Sequence, residues 1–277
     1  MGFSKIYEFK GADDGILSIT RKDNSLYIAG EDNIIRIFSL FNYKEIKAIK
    51  AHSRDILSLK LSKDNKYLFS SSRDGIIKQW DLDLNLIKEY PPHNSDVNII
   101  DFIDENTFIS ASDDATIRIW KTGKDSYKEI KPNIGDINGI KVTNNYIFAG
   151  GSKLIIYSKD FKEIKSDDNY IYGINLIKQN GNDIFISTHM EKYLEIWSEE
   201  TLEKKKRIKM TSWINDILFF KDKIIIANSN IISIYDKDFN LIEQNDFLSD
   251  EVYALESYEN KIITASNDSY IRIWEIK

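Results

Sequence analysis

Residues 56–90 read ILSLKLSKDNKYLFSSSRDGIIKQWDLDLNLIKEY and contain four short runs of mainly aliphatic, β-branched and aromatic residues. Segments 63–66, 73–75 and 83–85 separate these runs and are rich in Asp, Asn, Gly and Lys. Runs of this composition favour strands, and Asp, Asn and Gly favour tight turns. The segment therefore predicts four short strands that are joined by turns.

The third of these runs ends in an aromatic residue near isoleucines, and this feature recurs along the chain. Its seven copies are spaced 42, 40, 37, 40, 38 and 39 residues apart, and they end at Phe38, Trp80, Trp120, Tyr157, Trp197, Tyr235 and Trp274. A period near forty that is built from strands is typical of a propeller blade. The repeat predicts an all-β, closed seven-bladed β-propeller with four antiparallel strands per blade, as a single domain over residues 1–277.

The two ends of the chain fit this prediction. Only three residues follow Trp274, so the seventh unit lacks a fourth strand. Residues 5–11 (KIYEFKG) resemble 44–51 (KEIKAIKA), the fourth strand of the first unit. We therefore expect the N-terminal strand to complete the last blade, which removes exposed sheet edges that invite aggregation.

The second unit carries a more specific motif. A histidine precedes its first strand, serines and an aspartate span the second strand and its turn, and Trp80-Asp81 ends the third strand. The third unit repeats this pattern as far as Trp120. Both units resemble the WD repeat (WD40). The resemblance covers the whole chain by its period, but only these two units by the full motif.

In that family the four motif residues form a buried hydrogen-bond relay, in which a carboxylate needs the donors that the other side chains supply. The resemblance implies one structural relay in each unit, formed by His52, Ser70, Asp74 and Trp80 and by His93, Ser110, Asp114 and Trp120. Ser72 and Ser112 remain alternatives to the two serines. Other units depart from the motif: Phe38 has no N–H to donate, and Glu191 replaces the turn aspartate before Trp197.

The sequence also predicts a binding rim. Each unit contributes to it the residue just before the first apolar position of its first predicted strand. In a closed propeller these positions surround one mouth of the central channel; they are Gly15, Asp55, Asp96, Asp136, Tyr170, Trp213 and Glu251. Residues two places further on include Tyr172 and Tyr253. Carboxylates and aromatic faces together suit a lysine or arginine side chain. The alternative for the aspartates is that they cap backbone N–H groups of their own loops.

The resemblance implies a scaffold or adaptor that binds a partner protein or a basic peptide on this rim. The alternative is an enzyme or a small-molecule-binding propeller that uses the same channel mouth. The chain has no nucleophile elbow, zinc-binding HExxH or phosphate-binding P-loop sequence, and its loops are short. We therefore expect no catalytic residue, no cofactor and no metal site, and we expect His189 to be a surface residue.

Charge and composition limit the partners further. With 38 basic and 44 acidic residues the net charge is −6, which disfavours nucleic acid as a partner. The basic run 204–207 falls in a predicted outer strand, where lysines protect a sheet edge. No cysteine and no long apolar run is present, so we expect no membrane insertion and a cytoplasmic protein, or a nuclear one in a eukaryote. It should be monomeric by itself, or a subunit of a larger complex.

Overall fold

In the computed structural model, residues 3–170, 172–245 and 250–276 are described, and their regular secondary structure consists of 28 strands in seven four-stranded sheets. Within these residues no helix has the length and apolar character needed to span a bilayer. By its internal contacts the chain divides into two compact units, Met1–Leu59 with Asn215–Lys277, and Lys60–Ile214. The single-domain organisation stays a prediction.

The first unit holds three complete antiparallel sheets, in which each strand pairs with its neighbour in the given order. One sheet has the order β2 (Ile16–Lys22), β3 (Ser25–Gly30), β4 (Ile34–Ser39) and β5 (Glu45–Lys50). A second has β22 (Asp216–Phe220), β23 (Lys223–Asn228), β24 (Ile231–Asp236) and β25 (Leu241–Asn245). The third has β1 (Phe3–Lys10), β28 (Tyr270–Ile276), β27 (Lys261–Ser266) and β26 (Val252–Tyr258).

The second unit also holds three complete sheets with the same antiparallel plan. They are β10 (Val97–Asp104), β11 (Thr107–Ser112), β12 (Ile117–Lys121) and β13 (Tyr127–Ile130); β14 (Gly139–Val142), β15 (Tyr146–Gly150), β16 (Leu154–Ser158) and β17 (Glu163–Asp167); and β18 (Ile174–Asn180), β19 (Asp183–Thr188), β20 (Tyr193–Ser198) and β21 (Lys204–Lys209). The seventh sheet consists of β6 (Ile56–Leu61), β7 (Leu68–Ser72), β8 (Ile77–Trp80) and β9 (Leu86–Glu89).

These seven sheets are the blades of a seven-bladed β-propeller, so the predicted fold class is confirmed. Each of the seven repeated aromatic residues stands at or near the end of a third strand, and all except Tyr235 are buried. The repeated aromatic residue therefore marks the end of the third strand in each blade, and in six of the seven blades it is buried.

The N-terminal strand completes the last blade, as the two ends of the sequence predicted. β1 pairs with β28 in antiparallel register, with Phe9 opposite Ile271. Phe9 also lies 4.9 Å from Phe38, measured between ring centroids. The same cluster buries Ile16 and Ile28 of the first blade. Apolar packing therefore reinforces the hydrogen bonds that hold the two ends of the chain together.

Six outer strands contain a β-bulge opposite or next to the aromatic residue that ends the third strand. In β5 the bulged residue is Ile46, which is 61% exposed. In β21 it is Lys205. A bulge bends an edge strand and disrupts its free ladder, which makes pairing with another chain harder. The exposed strand edges are therefore protected by geometry as well as by charge.

Candidate functional site

The third blade contains the predicted relay in full. Trp120 Nε1 donates to Ser110 Oγ at 2.9 Å, Ser110 Oγ lies 2.8 Å from His93 Nε2, and His93 Nδ1 lies 2.8 Å from Asp114 Oδ2. An indole only donates and a carboxylate only accepts, so the protons are ordered along the chain. Ser110 must donate to Nε2, and Nδ1 must carry the imidazole proton. The serine in this relay is Ser110, while Ser112 Oγ accepts from the backbone N–H of Asp114.

Burial lowers the pKa of His93 below its usual value, and the nearby Arg118 lowers it further against the opposing effect of Asp114. The imidazole therefore stays neutral at neutral pH, as the relay requires. Asp114 has a pKa lowered to about 2, because hydrogen bonds from Thr116, Asn94 and His93 outweigh the effect of burial, which would raise it. Each polar group of this relay therefore already has a hydrogen-bond partner within the protein.

The second blade shows part of the same arrangement. Trp80 Nε1 donates to Ser70 Oγ at 2.9 Å, so Ser70 is the serine beside the indole. Asp74 accepts from the backbone N–H of Ile76 at 3.0 Å within the turn. His52 is buried and belongs to the first unit. Its membership of this relay stays a prediction.

The prediction that Tyr170 contributes to a binding rim is wrong. Tyr170 is 1% exposed, and its hydroxyl donates to the buried carboxylate of Glu195. Trp197 Nε1 donates to the same carboxylate at 3.1 Å, and Lys204 Nζ lies 2.8 Å from it. Tyr170 thus stands four residues before the first strand residue, Ile174, as His93 stands before Val97. A Tyr–Glu–Trp network replaces the His–Ser–Trp relay in the fifth blade.

The misplacement has a simple origin. The sequence predicted the first apolar position of this blade at residue 171, which lies outside the described residues, whereas β18 begins at Ile174. The position before the strand is therefore Gly173, and Tyr172 is the next residue towards the N-terminus. Tyr172 remains accessible, with 57% of its surface exposed. The counterpart of the second rim position is Asn175.

Three aspartates form an acidic group at one end of the sheets of the second unit. Asp96 and Asp136 were predicted, and Asp113 joins them because its backbone N–H donates to the carbonyl of Asp96 at 3.0 Å. Asp136 is exposed, and Arg73 Nε lies 3.5 Å from Asp96 Oδ2. Burial raises the pKa of Asp113, and the charges of Asp136 and Asp96 raise it further. The acidic group therefore brings three carboxylates close enough to act on one another, with Arg73 beside Asp96.

Asn98 fixes the position of the acidic group. Its Nδ2 lies 2.5 Å from Asp113 Oδ1, 3.1 Å from the carbonyl of Ile137 and 2.9 Å from Asn138 Oδ1. Asn175 makes the equivalent bond to the carbonyl of Ile214 at 2.6 Å. Because an amide supplies only two protons, Asn98 cannot fully satisfy three acceptors.

An aromatic group lies at the same end of the fifth blade. The rings of His189 and Trp213 stack with centroids 5.6 Å apart and an angle of 17°. The backbone N–H of His189 donates to the carbonyl of Gly173 at 3.2 Å, and the residues adjacent to this bond in the sequence, Tyr172 and Met190, are exposed. We define the aromatic group as Tyr172, His189 and Trp213. His189 is exposed, as expected, but it supports Trp213 and does not stand alone.

The first unit has its own charged positions at the equivalent strand ends. Burial raises the pKa of Tyr253 to about 12, together with a hydrogen bond to Glu251 and the charges of Glu31 and Asp250. Asp55 is partly buried at the start of β6. A contact of Asp55, Glu251 and Tyr253 with a partner protein stays a prediction.

The basic outer strand β21 is held by local ion pairs. Lys205 lies 2.6 Å from Asp183, and Arg207 lies 3.5 Å from Glu191. Arg207 also covers the ring of Tyr193 at 3.8 Å. These contacts favour the interpretation of β21 as a protected edge. Across the described residues no cluster of three or more His, Cys, Asp or Glu side chains has the geometry to hold a metal ion.

A family of known proteins matches the part of the chain that contains the motif. The family described as "WD domain, G-beta repeat" matches residues 43–81 and 84–121. A chicken (Gallus gallus) p21-activated protein kinase-interacting protein 1-like protein is 40% identical over 72 residues, which cover 25% of this chain and 19% of that protein. The Saccharomyces cerevisiae protein "Target of rapamycin complex subunit LST8" is 31% identical over 84 residues, which cover 30% of this chain and 27% of the relative. The chain thus spans about a quarter or less of the length of these relatives.

Proposed function

Because this chain belongs to the WD-repeat family, we propose that it is a protein-interaction scaffold that holds a basic segment of a partner protein. The two relatives carry names that describe an interacting protein and a complex subunit. Since the matched segments are short, the partner is inferred from the chemistry of this chain and not from theirs.

The acidic group is the observation that supports this proposal. Asp96, Asp113 and Asp136 lie close enough for Asp96 and Asp136 to raise the pKa of Asp113, and Arg73 is the cation next to Asp96. A lysine or arginine side chain supplies several N–H donors and a positive charge, both of which relieve this repulsion. The partner surface therefore carries a basic residue.

The aromatic group gives the partner a second contact. Trp213 is partly exposed, and Tyr172 is 57% exposed. Trp and Tyr are common anchors of interfaces because they bury a large area with little loss of side-chain entropy. An aromatic or aliphatic residue near the basic residue, or a second cation, would cover these rings. The cellular compartment and the monomeric state remain predictions.

The test is selection of binders from a random twelve-residue peptide library displayed on phage. We expect the wild-type protein to enrich peptides that contain Lys or Arg. For a selected peptide, Asp136→Lys and Trp213→Ala should each weaken binding at least about tenfold in fluorescence anisotropy, since each removes an anchor worth roughly 1.4 kcal/mol or more.

The matched control is Asp160→Lys, which makes the same charge change at an exposed turn at the opposite end of a sheet in the same unit. This variant should bind as the wild type does. Circular dichroism and the melting temperature establish that each variant is folded. Enrichment without basic residues, or equal weakening by Asp160→Lys, would show that the acidic group does not bind the partner.

A further inference from the structure

A row of aromatic rings leads from the core of the first unit to its surface. Phe9, which packs on Phe38 in the core, lies 6.0 Å from Tyr43, and Tyr43 stacks on Tyr7 with ring centroids 4.5 Å apart and an angle of 23°. Tyr7 is 44% exposed. Two residues before Tyr43, Phe41 is 83% exposed, the highest value of any large hydrophobic residue in the described part of the chain. We define the outer aromatic surface as Tyr7, Phe41 and Tyr43.

The repeat does not require an aromatic residue at the position of Tyr7. In the outer strand of its blade, Tyr7 pairs with Ile273, the residue before the repeated Trp274. In the other six blades the residue at this position is charged: Lys47, Lys88, Lys128, Lys165, Lys206 and Glu243. An outer strand therefore forms with a charged side chain here, which also protects the sheet edge. Tyr7 is the exception among the seven blades.

The turn that contains Phe41 does not require an apolar residue either. The backbone N–H of Ser39 donates to the carbonyl of Lys44 at 2.9 Å, and that of Tyr43 donates to the carbonyl of Ser39 at 2.7 Å. The turn between β20 and β21 makes the same two bonds, and the residue in the place of Phe41 is the exposed Glu200. Single exposed apolar residues are common, but two that lie close together at positions filled elsewhere by charge indicate a contact surface.

The charged residues beside this surface define the partner further. The two carboxylates of the adjoining strands are engaged by nearly buried arginines, since Glu8 lies 3.3 Å from Arg272 and Glu45 lies 3.5 Å from Arg36. Lys44 follows Tyr43 in the turn, is exposed, and has no ion pair with any described residue. The charge that this surface offers a partner is therefore the ammonium group of Lys44.

We propose that the outer aromatic surface is a docking site for a segment of a partner protein that carries an aromatic or aliphatic side chain next to a carboxylate. The apolar side chain covers Phe41 and Tyr7, which removes apolar area from water, and a carboxylate pairs with Lys44. This site selects the opposite charge to the acidic group, which lies in the other unit. It does not depend on the proposed binding of a basic segment.

The test is a selection from a random twelve-residue peptide library on phage, in which the library is first depleted on the Phe41→Glu variant and then selected on the wild type. Phe41→Glu introduces the residue that the fifth blade has in the same turn, so we expect this variant to fold. The enriched peptides should contain Trp, Phe or Leu together with Asp or Glu. For one such peptide, Tyr7→Lys and Lys44→Glu should each weaken binding about tenfold or more in fluorescence anisotropy.

The matched control is Leu241→Glu, which changes another exposed apolar residue of an outer strand in the same unit. This variant should bind the peptide as the wild type does, and so should Asp136→Lys, which separates this site from the acidic group. Circular dichroism and the melting temperature establish that each variant is folded.

Three results would overturn the proposal. They are a selection that enriches no peptide on the wild type over Phe41→Glu, a peptide whose binding is unchanged by both Tyr7→Lys and Lys44→Glu, and enriched peptides without acidic residues. Sedimentation velocity of the wild type tests a second copy as the occupant. A dimer that Phe41→Glu converts to a monomer would assign the surface to self-association and overturn the assignment to a partner segment.

Discussion

Removal of the Asp114 carboxylate should reveal how much the relay stabilises the third blade. Asp114 accepts from His93 Nδ1 at 2.8 Å, Thr116 Oγ1 at 2.6 Å, Thr116 N at 3.0 Å and Asn94 N at 3.1 Å. The His93 side chain is fully buried, so its N–H cannot turn to water. A buried donor without a partner costs ~1–3 kcal/mol, and the turn amides add to this. We expect Asp114→Ala to lower the free energy of unfolding by about 3–5 kcal/mol.

Asp114→Asn is the graded variant of the same position. The amide has nearly the same shape and keeps one acceptor oxygen, so its expected cost is only about 1–2 kcal/mol. The assay is urea unfolding followed by tryptophan fluorescence and by circular dichroism, with the slope m checked for constancy. A loss below about 1 kcal/mol for Asp114→Ala, or an equal loss for the two variants, would refute the assignment of Asp114 as the acceptor that completes the relay.

Three further outcomes follow from the geometry. The free energy of unfolding should fall as the pH drops from about 7 to 5. In this range an unfolded histidine, with a pKa near 6.5, takes up a proton, whereas buried His93, with its lowered pKa, does not. Urea titrations at each pH measure this dependence, and His93→Gln should flatten it. Tyr170→Phe should cost ~1–3 kcal/mol in the same assay, because it removes a hydrogen bond to the buried carboxylate of Glu195 while the ring stays packed. Gly30→Ala should lower the free energy of unfolding by about 3 kcal/mol or more, or prevent folding, because the added Cβ would lie 1.9 Å from the carbonyl oxygen of Gly15. The yield of folded protein on expression and its melting temperature test this.

The relays show where sequence reasoning reaches its limit. His93, Ser110, Asp114 and Trp120 were predicted because their unit resembles the WD repeat, whose motif residues form such a relay. In the fifth blade the same task falls to Tyr170 and Glu195, which share no residue type with the motif. Only the structure shows that the phenol of Tyr170 takes the place of the imidazole, because that equivalence depends on where β18 begins and not on residue identity.

The acidic group shows a similar division. Asp96 and Asp136 follow from the repeat, since equivalent positions of successive blades face the same way. Asp113 lies in the turn between β11 and β12, and no spacing along the chain relates it to Asp96 and Asp136. The hydrogen bond from the backbone N–H of Asp113 to the carbonyl of Asp96 places Asp113 beside these two residues.

By itself the sequence determined the fold class, the number of blades, the four strands of each blade and the completion of the last blade by β1. These properties are encoded locally and repeated, because each blade alternates short apolar runs with turns and has an aromatic residue at or near the end of its third strand. Tertiary structure alone decided where the first strand of the fifth blade begins, the burial of Tyr170 against Glu195 and the position of Asp113 beside Asp96. Those depend on which strands pair and on how far each side chain lies from charges distant in sequence, and electrostatic energy depends on distance in space and not on position along the chain.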